Sequence, residues 1–337
     1  MRILLAALLL IGCTTDADPP PEQTGPPPEY PLDGTLRFHH VQMKSTHNSY
    51  HIEKEGNTIP ELHYTHAPLD VQLESQGVRH FELDLRQGPD GYFVVYHLPI
   101  VDDVSHCARF TDCLGKIKGW HDAHPYHHPI VVQLELKDPP PIDAAPAETY
   151  FEALHAEITS VMPPEMLFTP DQLQGSAATL GEAVATLGWP TLGELRGKFL
   201  FMLDDEGEFR NLYTRGLTSA AGRIVFPDSS PGDPFAAMAV INDPIVDAAA
   251  ITAAVAANIM VRTRADADVY EPAAGDTTRR EAALASGAHF ISTDFPAPVE
   301  GYDYVVEIPG GTPSRCNPST APPECVATEL ESPDRLK

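Results

Sequence analysis

Four short polar segments of this chain combine residue types that carry out acid–base and metal chemistry, and each lies in or directly after a predicted apolar strand. These segments are residues 45–50, 82–86, 96–98 and 135–138. Successive side chains of a strand point to opposite faces, so Glu82, Asp84 and Arg86 share one face. Unpaired charges inside a sheet are unfavourable. A bound cation would compensate for the two carboxylates.

Hard oxygen donors recur in these segments. The candidate metal ligands are Asn48, Glu82, Asp84 and Glu135. Amide and carboxylate oxygens suit Ca²⁺ or Mg²⁺ better than Zn²⁺. Two histidines, His47 and His97, accompany them, and a pair of imidazoles beside an oxygen-bound cation suits phosphoryl transfer. One imidazole would take a proton from an attacking hydroxyl, and the other would give a proton to the leaving oxygen.

Strand-like apolar segments alternate with helical patterns from about residue 36 to residue 298. Strands are predicted at residues 38–43, 80–85, 93–96, 130–136, 199–203, 223–226, 239–241, 259–261 and 290–292. The clearest helices are predicted at residues 69–76, 147–161 and 244–257. This alternation predicts an α/β fold with a parallel sheet. The length suits a (β/α)₈ barrel of the TIM type, in which active sites lie at the carboxyl ends of the strands.

The charge balance limits the possible partners. The chain has 337 residues, with 22 basic and 48 acidic side chains and a formal charge of −26. Such an acidic surface disfavours nucleic acid as a partner, so an anionic substrate must be held locally, by a metal ion or a few placed cations. The hydrophobic content of 42% supplies a core and excludes wholesale disorder. We expect a monomer with no nucleic-acid partner.

The first residues predict export. Arg2 precedes an apolar stretch at residues 3–11, which is too short to span a bilayer and is typical of a secretory signal. The segment ending in Cys13 resembles the site at which bacterial lipoproteins are cleaved and lipidated. We therefore predict a signal peptide at residues 1–12 and a Pro-rich linker at residues 13–35 behind a lipidated Cys13. The protein would be anchored at the cell envelope or released outside the cell; the alternative is a cytoplasmic protein with an apolar first helix.

The cysteine count agrees with export. Without Cys13 four cysteines remain, and they allow three pairings. The simplest pairing joins neighbours in the sequence: Cys107–Cys113 and Cys316–Cys325. Oxidised pairs imply an exported location. The second pair would pin a C-terminal tail at residues 301–337, which follows a barrel at residues 36–300.

In order and spacing, these segments resemble the phosphoinositide-specific phospholipase C family, above all its calcium-dependent bacterial branch. The matching segments are residues 45–50, 79–84, 88–91, 94–97 and 130–135, with looser matches at 195–200 and 287–294. The resemblance implies in-line attack of the inositol 2-hydroxyl on phosphorus. This reaction would release diacylglycerol and form a cyclic inositol phosphate, which water can then open.

The resemblance also implies roles for individual residues. His47 would act as acid and base on the nucleophile side, and His97 would serve the leaving lipid and later water. Glu82 or Asp84 is a second candidate for taking the proton of the 2-hydroxyl. One calcium ion would be bound by Asn48, Glu82, Asp84 and Glu135.

One strand departs from the family's pattern. On this strand, eukaryotic relatives carry a lysine pair that binds the ring phosphates. The corresponding residues 199–205 of this chain end in Asp204 and Asp205. This departure favours plain phosphatidylinositol, presented at a membrane surface, over polyphosphorylated headgroups. The remaining candidates for substrate binding are Lys137, Arg86, Arg262 and Arg264.

Two other functions stay open at this point. A barrel enzyme that cleaves glycerophosphodiesters would share the Glu-x-Asp pattern and a second histidine. Its first histidine is followed by Arg-Gly, however, whereas Asn48 follows His47 here. The other alternative is a lipid-anchored binding protein on a catalytically inactive barrel, which the intact pair of His47 and His97 argues against.

Several conspicuous residues have a structural interpretation. A group of histidines lies in a Pro-interrupted segment, where we expect a solvated loop rather than a metal site. The group consists of His121, His124, His127 and His128. Packing roles are expected for His39, His40, Trp120 and Trp189. Asp294 ends the last predicted strand, where structural hydrogen bonding and catalysis fit equally.

Overall fold

The computed structural model describes residues 27–141, 143–311 and 313–336. The predictions of a signal peptide and of a lipidated Cys13 lie outside the described residues. The strands are β1 (Val41–Thr46), β2 (Val78–Gln87), β3 (Phe93–Val95), β4 (Ile130–Leu136), β5 (Phe199–Asp204), β6 (Val225–Pro227), β7 (Met238–Val240), β8 (Met260–Arg264), β9 (Phe290–Thr293) and β10 (Ser314–Cys316).

Helices cover the outside of the sheet. They are α1 (Leu69–Ser75), α2 (Phe110–Ala123), α3 (Ala144–Val161), α4 (Pro170–Gln174), α5 (Leu180–Leu187), α6 (Leu192–Leu195), α7 (Glu208–Tyr213), α8 (Ala248–Ala256), α9 (Tyr270–Ala274), α10 (Thr278–Ala285) and α11 (Ala327–Leu330). No helix within the described ranges has the length and apolar character needed to cross a bilayer.

The parallel strands form a nearly closed barrel in the order β6-β5-β4-β2-β1-β9-β8-β7. One backbone bridge, between Asp228 and Met238, joins β6 to β7. Side chains complete this seam, because Ser229 Oγ donates to the Met238 carbonyl (2.6 Å) and Asp228 Oδ1 accepts from the Val240 amide (2.9 Å). The predicted α/β fold and (β/α)₈ barrel are therefore confirmed.

Strand β2 illustrates how the sequence builds the barrel wall. Phe81, Leu83 and Leu85 are fully buried and pack outward in one apolar cluster with residues of α2 and α3. Burying each such side chain contributes about 1.5–3 kcal/mol. The alternate residues Glu82 and Asp84 point to the barrel interior, as the strand period requires. Strand β3 pairs antiparallel with the end of β2, so the chain returns to the carboxyl end of this strand.

The two ends of the described chain dock together at the amino end of the barrel. The Tyr30 ring stacks on the Arg196 guanidinium at 3.4 Å. Arg196 also donates to Asp33 (2.7 Å) and to the carbonyl of Leu330 (3.0 Å). Residues 30–35, which the sequence assigns to the end of the linker, are thus held against the barrel by this ion pair and ring contact.

The tail after the barrel is packed rather than extended. Strand β10 pairs antiparallel with the first half of β1, and Leu330 and Glu331 are buried. Disulfides join Cys107 to Cys113 and Cys316 to Cys325, the simplest of the three possible pairings. The second disulfide holds the segment that follows β10.

One strand prediction is displaced. The first strand was expected at residues 38–43, but β1 spans Val41–Thr46 and Phe38–His40 form a 3₁₀ turn. Phe38 is buried edge-to-face against Trp189 (5.6 Å between centroids). It is therefore apolar because of this contact and not because it belongs to the strand. The packing roles expected for Trp120, Trp189 and His39 agree with their burial.

Candidate active site

Polar side chains from many strands meet at the carboxyl end of the barrel, as expected for this architecture. The chain following β1 supplies His47 and Asn48, and β2 supplies Glu82 and Asp84. His97 follows β3. The remaining contributions are Glu135 and Lys137 at the end of β4, Asp204 at the end of β5, Arg262 and Arg264 on β8, and Asp294 after β9.

A tight turn places the residues that follow β1. Asn48 has a positive φ of 43°, a conformation that asparagine tolerates better than most residues. Ser49 ties the turn to β2, since its amide donates to the Glu82 carbonyl (2.9 Å) and its hydroxyl accepts from the Glu82 amide (2.8 Å). The Asn48 side chain is buried and lies 3.4 Å from the Tyr64 hydroxyl.

Three carboxylates form a compact cluster. Single oxygen atoms of Glu82, Glu135 and Asp204 all lie within 4.8 Å of one another. Burial and then the charge of Glu135 raise the pKa of Asp84 well above its usual range, and burial and then the charge of Glu82 do the same for Asp204. Crowded carboxylates that resist ionisation together are stabilised by a cation, and their hard oxygens fit Ca²⁺.

Asp84 lies beside this cluster and has a cationic partner. Lys137 Nζ is 3.1 Å from Asp84 Oδ2 and also pairs with Glu135. Burial opposes the charge on Lys137, but Asp84 and Glu135 prevail and raise its pKa. Arg86 donates to the carbonyl oxygens of Lys137 (2.8 Å) and His97 (3.0 Å), so it holds two segments of the site together.

The two arginines of β8 are paired with carboxylates of the site. Arg262 is buried and bonds to Glu82 and to the Asn242 side chain. Arg264 lies 2.9 Å from Asp294 Oδ2. The predicted contacts of Lys137, Arg86, Arg262 and Arg264 with substrate stay predictions.

His47 is oriented by an aspartate. Its Nδ1 lies 2.9 Å from Asp294 Oδ1, and its Nε2 lies 3.8 Å from Glu82 Oε1, beyond hydrogen-bond distance. The side chain keeps 19% of its surface exposed. Burial, followed by the positive charge of Arg264, lowers the pKa of His47 well below its usual value. The ring is thus held with Nε2 free to exchange a proton.

His97 has the same kind of partner. Its Nδ1 lies 3.0 Å from Asp102 Oδ2, and its side chain is 24% exposed. The other oxygen of Asp102 lies 2.9 Å from His51 Nε2. Asp294, whose role the sequence left open, and Asp102 therefore occupy equivalent positions behind the two histidines.

Sequence reasoning missed Asp204, Asp102 and His51. Asp204 ends the fifth strand, and a carboxylate at the carboxyl end of a barrel strand indicates a site residue. In the sequence it stands out only as a departure from the lysine pair of eukaryotic relatives. Asp102 and His51 lie in irregular segments, where no periodicity indicates which side chains meet. Their roles depend on loop contacts that the sequence pattern does not encode.

The histidine group at residues 121–128 corrects another prediction. These side chains lie at the amino end of the barrel and are buried, not solvated. His121 Nδ1 lies 2.9 Å from His127 Nε2, and the rings of His127 and His128 bond through Nδ1 to the carbonyls of His128 and Pro129. They serve packing and hydrogen bonding, far from the carboxyl ends of the strands.

The barrel gathers histidines and carboxylates at the carboxyl ends of its strands, where enzymes of this architecture have their active sites. The model of the family "phosphoinositide phospholipase C, Ca²⁺-dependent" matches residues 91–318, more than half of the chain. The chain belongs to this family, whose enzymes cleave phosphodiesters. His97 and Glu135 lie inside the matched residues, whereas His47 and Glu82 precede them.

Solved structures share the fold. A calcium-dependent phosphoinositol-specific phospholipase C from Pseudomonas sp. aligns with a TM-score of 0.59 and 20% identity over 81% of this chain and 96% of that one. A Ca²⁺-dependent phosphatidylinositol-specific phospholipase C from Streptomyces antibioticus gives 0.56 and 20% over 78% and 96%. A double mutant of the phosphatidylinositol-specific phospholipase C from S. aureus gives a TM-score of 0.50 and 15% identity over 81% of this chain and 91% of that one. No curated protein matches this chain in sequence.

Proposed function

We propose that this protein is a calcium-dependent phospholipase C that cleaves phosphatidylinositol. One observation carries the proposal. Two partly exposed histidines, each bonded through Nδ1 to a buried aspartate, stand at the same end of the barrel as the cluster of Glu82, Glu135 and Asp204. Acid–base catalysis with a cation at phosphorus needs this combination of groups.

In the proposed reaction His47 acts first. Its Nε2 accepts the proton of the inositol 2-hydroxyl as that oxygen forms a bond to phosphorus. Asp294 accepts the Nδ1–H hydrogen bond and so stabilises the imidazolium that results. Asp84, which is buried against Lys137, is the second candidate for this proton.

His97 completes the transfer. Its Nε2–H gives a proton to the glycerol oxygen as the bond between that oxygen and phosphorus breaks. The products are diacylglycerol and a cyclic inositol phosphate, and the reverse proton movements at the same two rings allow water to open the cyclic product. A bound calcium ion would lower the pKa of the attacking hydroxyl and stabilise the charge on the phosphoryl oxygens. Glu82, Glu135 and Asp204 would hold the ion, with Asn48 and Asp84 beside them.

The charges at the end of β5 support an inositol ring without further phosphates. Asp204 lies in the acidic cluster, and Asp205 follows it. Additional phosphates placed at this side of the site would meet carboxylates instead of cations, and like charges repel. Plain phosphatidylinositol avoids this repulsion.

The surface around the site supports action on a lipid bilayer. Ile100 and Val101, close after His97, are 83% and 45% exposed. Ile245 and Val246, after β7, are 52% and 79% exposed at the same end of the barrel. Exposed aliphatic side chains grouped around a site are typical of a surface that meets an apolar partner. We extend the proposal to an exported lipoprotein, with Cys13 lipidated, in agreement with the two disulfides.

Phosphorus NMR of the protein acting on phosphatidylinositol vesicles tests the proposal. We expect a cyclic phosphodiester signal that needs calcium and disappears with a chelator. The signal should also disappear in His47→Ala. Turnover of soluble glycerophosphodiesters without any cleavage of phosphatidylinositol would overturn the substrate assignment. Cleavage that is unchanged by the chelator would overturn the role of calcium.

A further inference from the structure

Asp102 lies between two histidines. Its Oδ2 is 3.0 Å from His97 Nδ1 and its Oδ1 is 2.9 Å from His51 Nε2. Asp102 is 2% exposed and His51 is fully buried. The carboxylate therefore links a partly exposed ring at the site to a second ring behind it.

The protonation states follow from the chemistry of these groups. Burial opposes ionisation, but the hydrogen bonds from His51 and His97 prevail and lower the pKa of Asp102 to about 2. An ionised carboxylate only accepts hydrogen bonds, so both rings donate to it. His51 Nδ1 is buried and has no partner among the described residues. The neutral Nε2–H form of His51 fits this environment, because it places no second N–H in the unpaired position.

Backbone contacts hold the three residues in place. Leu98 and Asp102 exchange two hydrogen bonds of 2.9 Å, which form a short loop and set the aspartate behind His97. The His51 amide donates to the carbonyl of Asn48 (2.8 Å), and the His51 ring stacks on Tyr64 at 4.2 Å between centroids. His51 thus belongs to the same segment, after β1, that carries the other site histidine.

A carboxylate held by one donor can turn about its last torsion, because that torsion has only broad minima. The bond from His51 to Oδ1 removes this freedom and leaves Oδ2 for His97. The Nδ1–H of His97 is then fixed toward Asp102, which leaves Nε2 on the other side of a ring that is 24% exposed. The orientation of His97 therefore depends on a residue that cannot itself reach the substrate.

We propose that Asp102 and His51 are positioning residues that hold His97 Nε2 toward the leaving-group oxygen. The inference rests on the proposed function, in which His97 protonates that oxygen. No bond to either residue forms or breaks during the reaction. Their effect is confined to the step in which the leaving group takes a proton.

Two substrates with different leaving groups separate this role from a structural one. Phosphatidylinositol releases a glycerol oxygen that needs a proton, whereas an inositol phosphodiester of nitrophenol releases a stable anion that needs little help. For Asp102→Asn we expect kcat on phosphatidylinositol to fall about 100-fold, the scale of general acid catalysis, with KM nearly unchanged. The loss on the nitrophenyl substrate should be at least about tenfold smaller, since its leaving group depends less on general acid catalysis.

His51 is tested by a pair of variants. His51→Leu removes the donor to Asp102 and should show the same dependence on the leaving group, with a smaller loss. His51→Gln retains an N–H donor and should recover most of the activity. His63→Gln is the matched control, because His63 is an exposed histidine paired with Glu53. This control should leave kcat on both substrates unchanged.

The outcomes distinguish the inference from the function on which it rests. Equal losses on the two substrates, or no loss in Asp102→Asn, would overturn the positioning role while the wild type remains an active phospholipase. A wild type that cleaves neither substrate would overturn both. Thermal unfolding of each variant checks the fold. If His51→Leu does not fold, the ratio of the kcat values on the two substrates, measured in Asp102→Asn and His51→Gln, decides.

Discussion

Histidines and carboxylates lie at both ends of the barrel, but their hydrogen bonding differs. At the carboxyl end His47 and His97 each bond through Nδ1 to an aspartate, and both side chains are partly exposed. Among the described residues, no protein group lies within hydrogen-bond distance of either Nε2. These rings therefore keep one nitrogen available for a substrate.

At the amino end the same residue types are buried and bonded to one another. Arg79 forms a bidentate contact with Glu331 and stacks on Trp120 at 4.5 Å. Glu331 also accepts from the His128 amide at 3.0 Å. Burial opposes its ionisation, but the charge of Arg79 prevails and lowers the pKa of Glu331 to about 2. This network joins the tail to the barrel.

The comparison teaches that residue type does not distinguish a catalytic group from a structural one. What differs is exposure: the side chains of His47 and His97 are 19% and 24% exposed, whereas the histidines at the amino end are buried. Paired groups at the amino end contribute to stability. At the carboxyl end, the proposed function assigns the crowded carboxylates to a metal ion and the free imidazole nitrogens to the substrate. The variants below act on one end or the other.

The largest effect is expected from His47→Gln. Loss of the proposed base should lower kcat by about 1,000-fold, because acid–base catalysis contributes about 10²–10⁴-fold. The unfolding temperature should change little. His121→Gln, at the amino end, should instead lower the unfolding temperature and leave kcat of the folded protein unchanged. Equal kcat values for the two variants would contradict the comparison.

Glu331→Gln should destabilise the protein by about 3 kcal/mol, because it leaves the Arg79 charge buried without its partner. Chemical denaturation measures this free energy, and kcat should not change. Glu329→Gln is the control, since Glu329 pairs with the more exposed Arg335. It should cost less than about 1 kcal/mol. A larger loss for the control would remove the special position of Glu331.

Acid should lower the free energy of unfolding through His128, at the amino end of the barrel. Burial lowers the pKa of this ring from 6.5 to about 4, so the unfolded chain binds the proton more readily than the folded protein. The stability that the neutral ring contributes is present above pH 6.5 and is lost as the pH falls toward 4. The expected slope is up to about 1.4 kcal/mol per pH unit. His128→Gln should reduce the slope between these pH values, as denaturation at several pH values would measure; an unchanged slope would contradict the assignment.

Asp204→Asn tests the residue that the sequence analysis overlooked as a ligand. Removal of one of three clustered charges should weaken calcium binding by about tenfold, which calorimetry with the metal alone measures. Asp205→Asn is the control, because Oδ1 of Asp205 accepts from the Gly207 and Arg210 amides. Calcium affinity that is equal in the two variants would exclude Asp204 from the metal site.

The smallest effect is expected at the surface around the site. Val246→Asp should lower the rate on vesicles by about tenfold or less, the scale of one buried aliphatic side chain. The rate on a water-soluble substrate should not change. Val326→Asp changes another exposed valine, which lies in the tail, and should leave both rates unchanged. Losses on both substrates would indicate a disturbed site rather than a lost lipid contact.

Much of the fold and part of the site follow from sequence. The period of β2 placed Glu82 and Asp84 on the inner face, and the hairpin after Gly88 returned His97 to the same end of the barrel. The boundaries of β1 were displaced, because buried Phe38 satisfies an apolar pattern without belonging to the strand.

The sequence by itself determined the alternation of strands and helices, the residue types gathered at the strand ends and the family resemblance, since all three depend on local periodicity and spacing. Only the tertiary structure decided that Asp204 joins Glu82 and Glu135, that Asp102 bridges His51 and His97, and that the histidines of residues 121–128 are buried. These contacts join segments far apart in the chain or lie in irregular loops. No local pattern encodes them, because packing of the whole barrel sets which side chains meet.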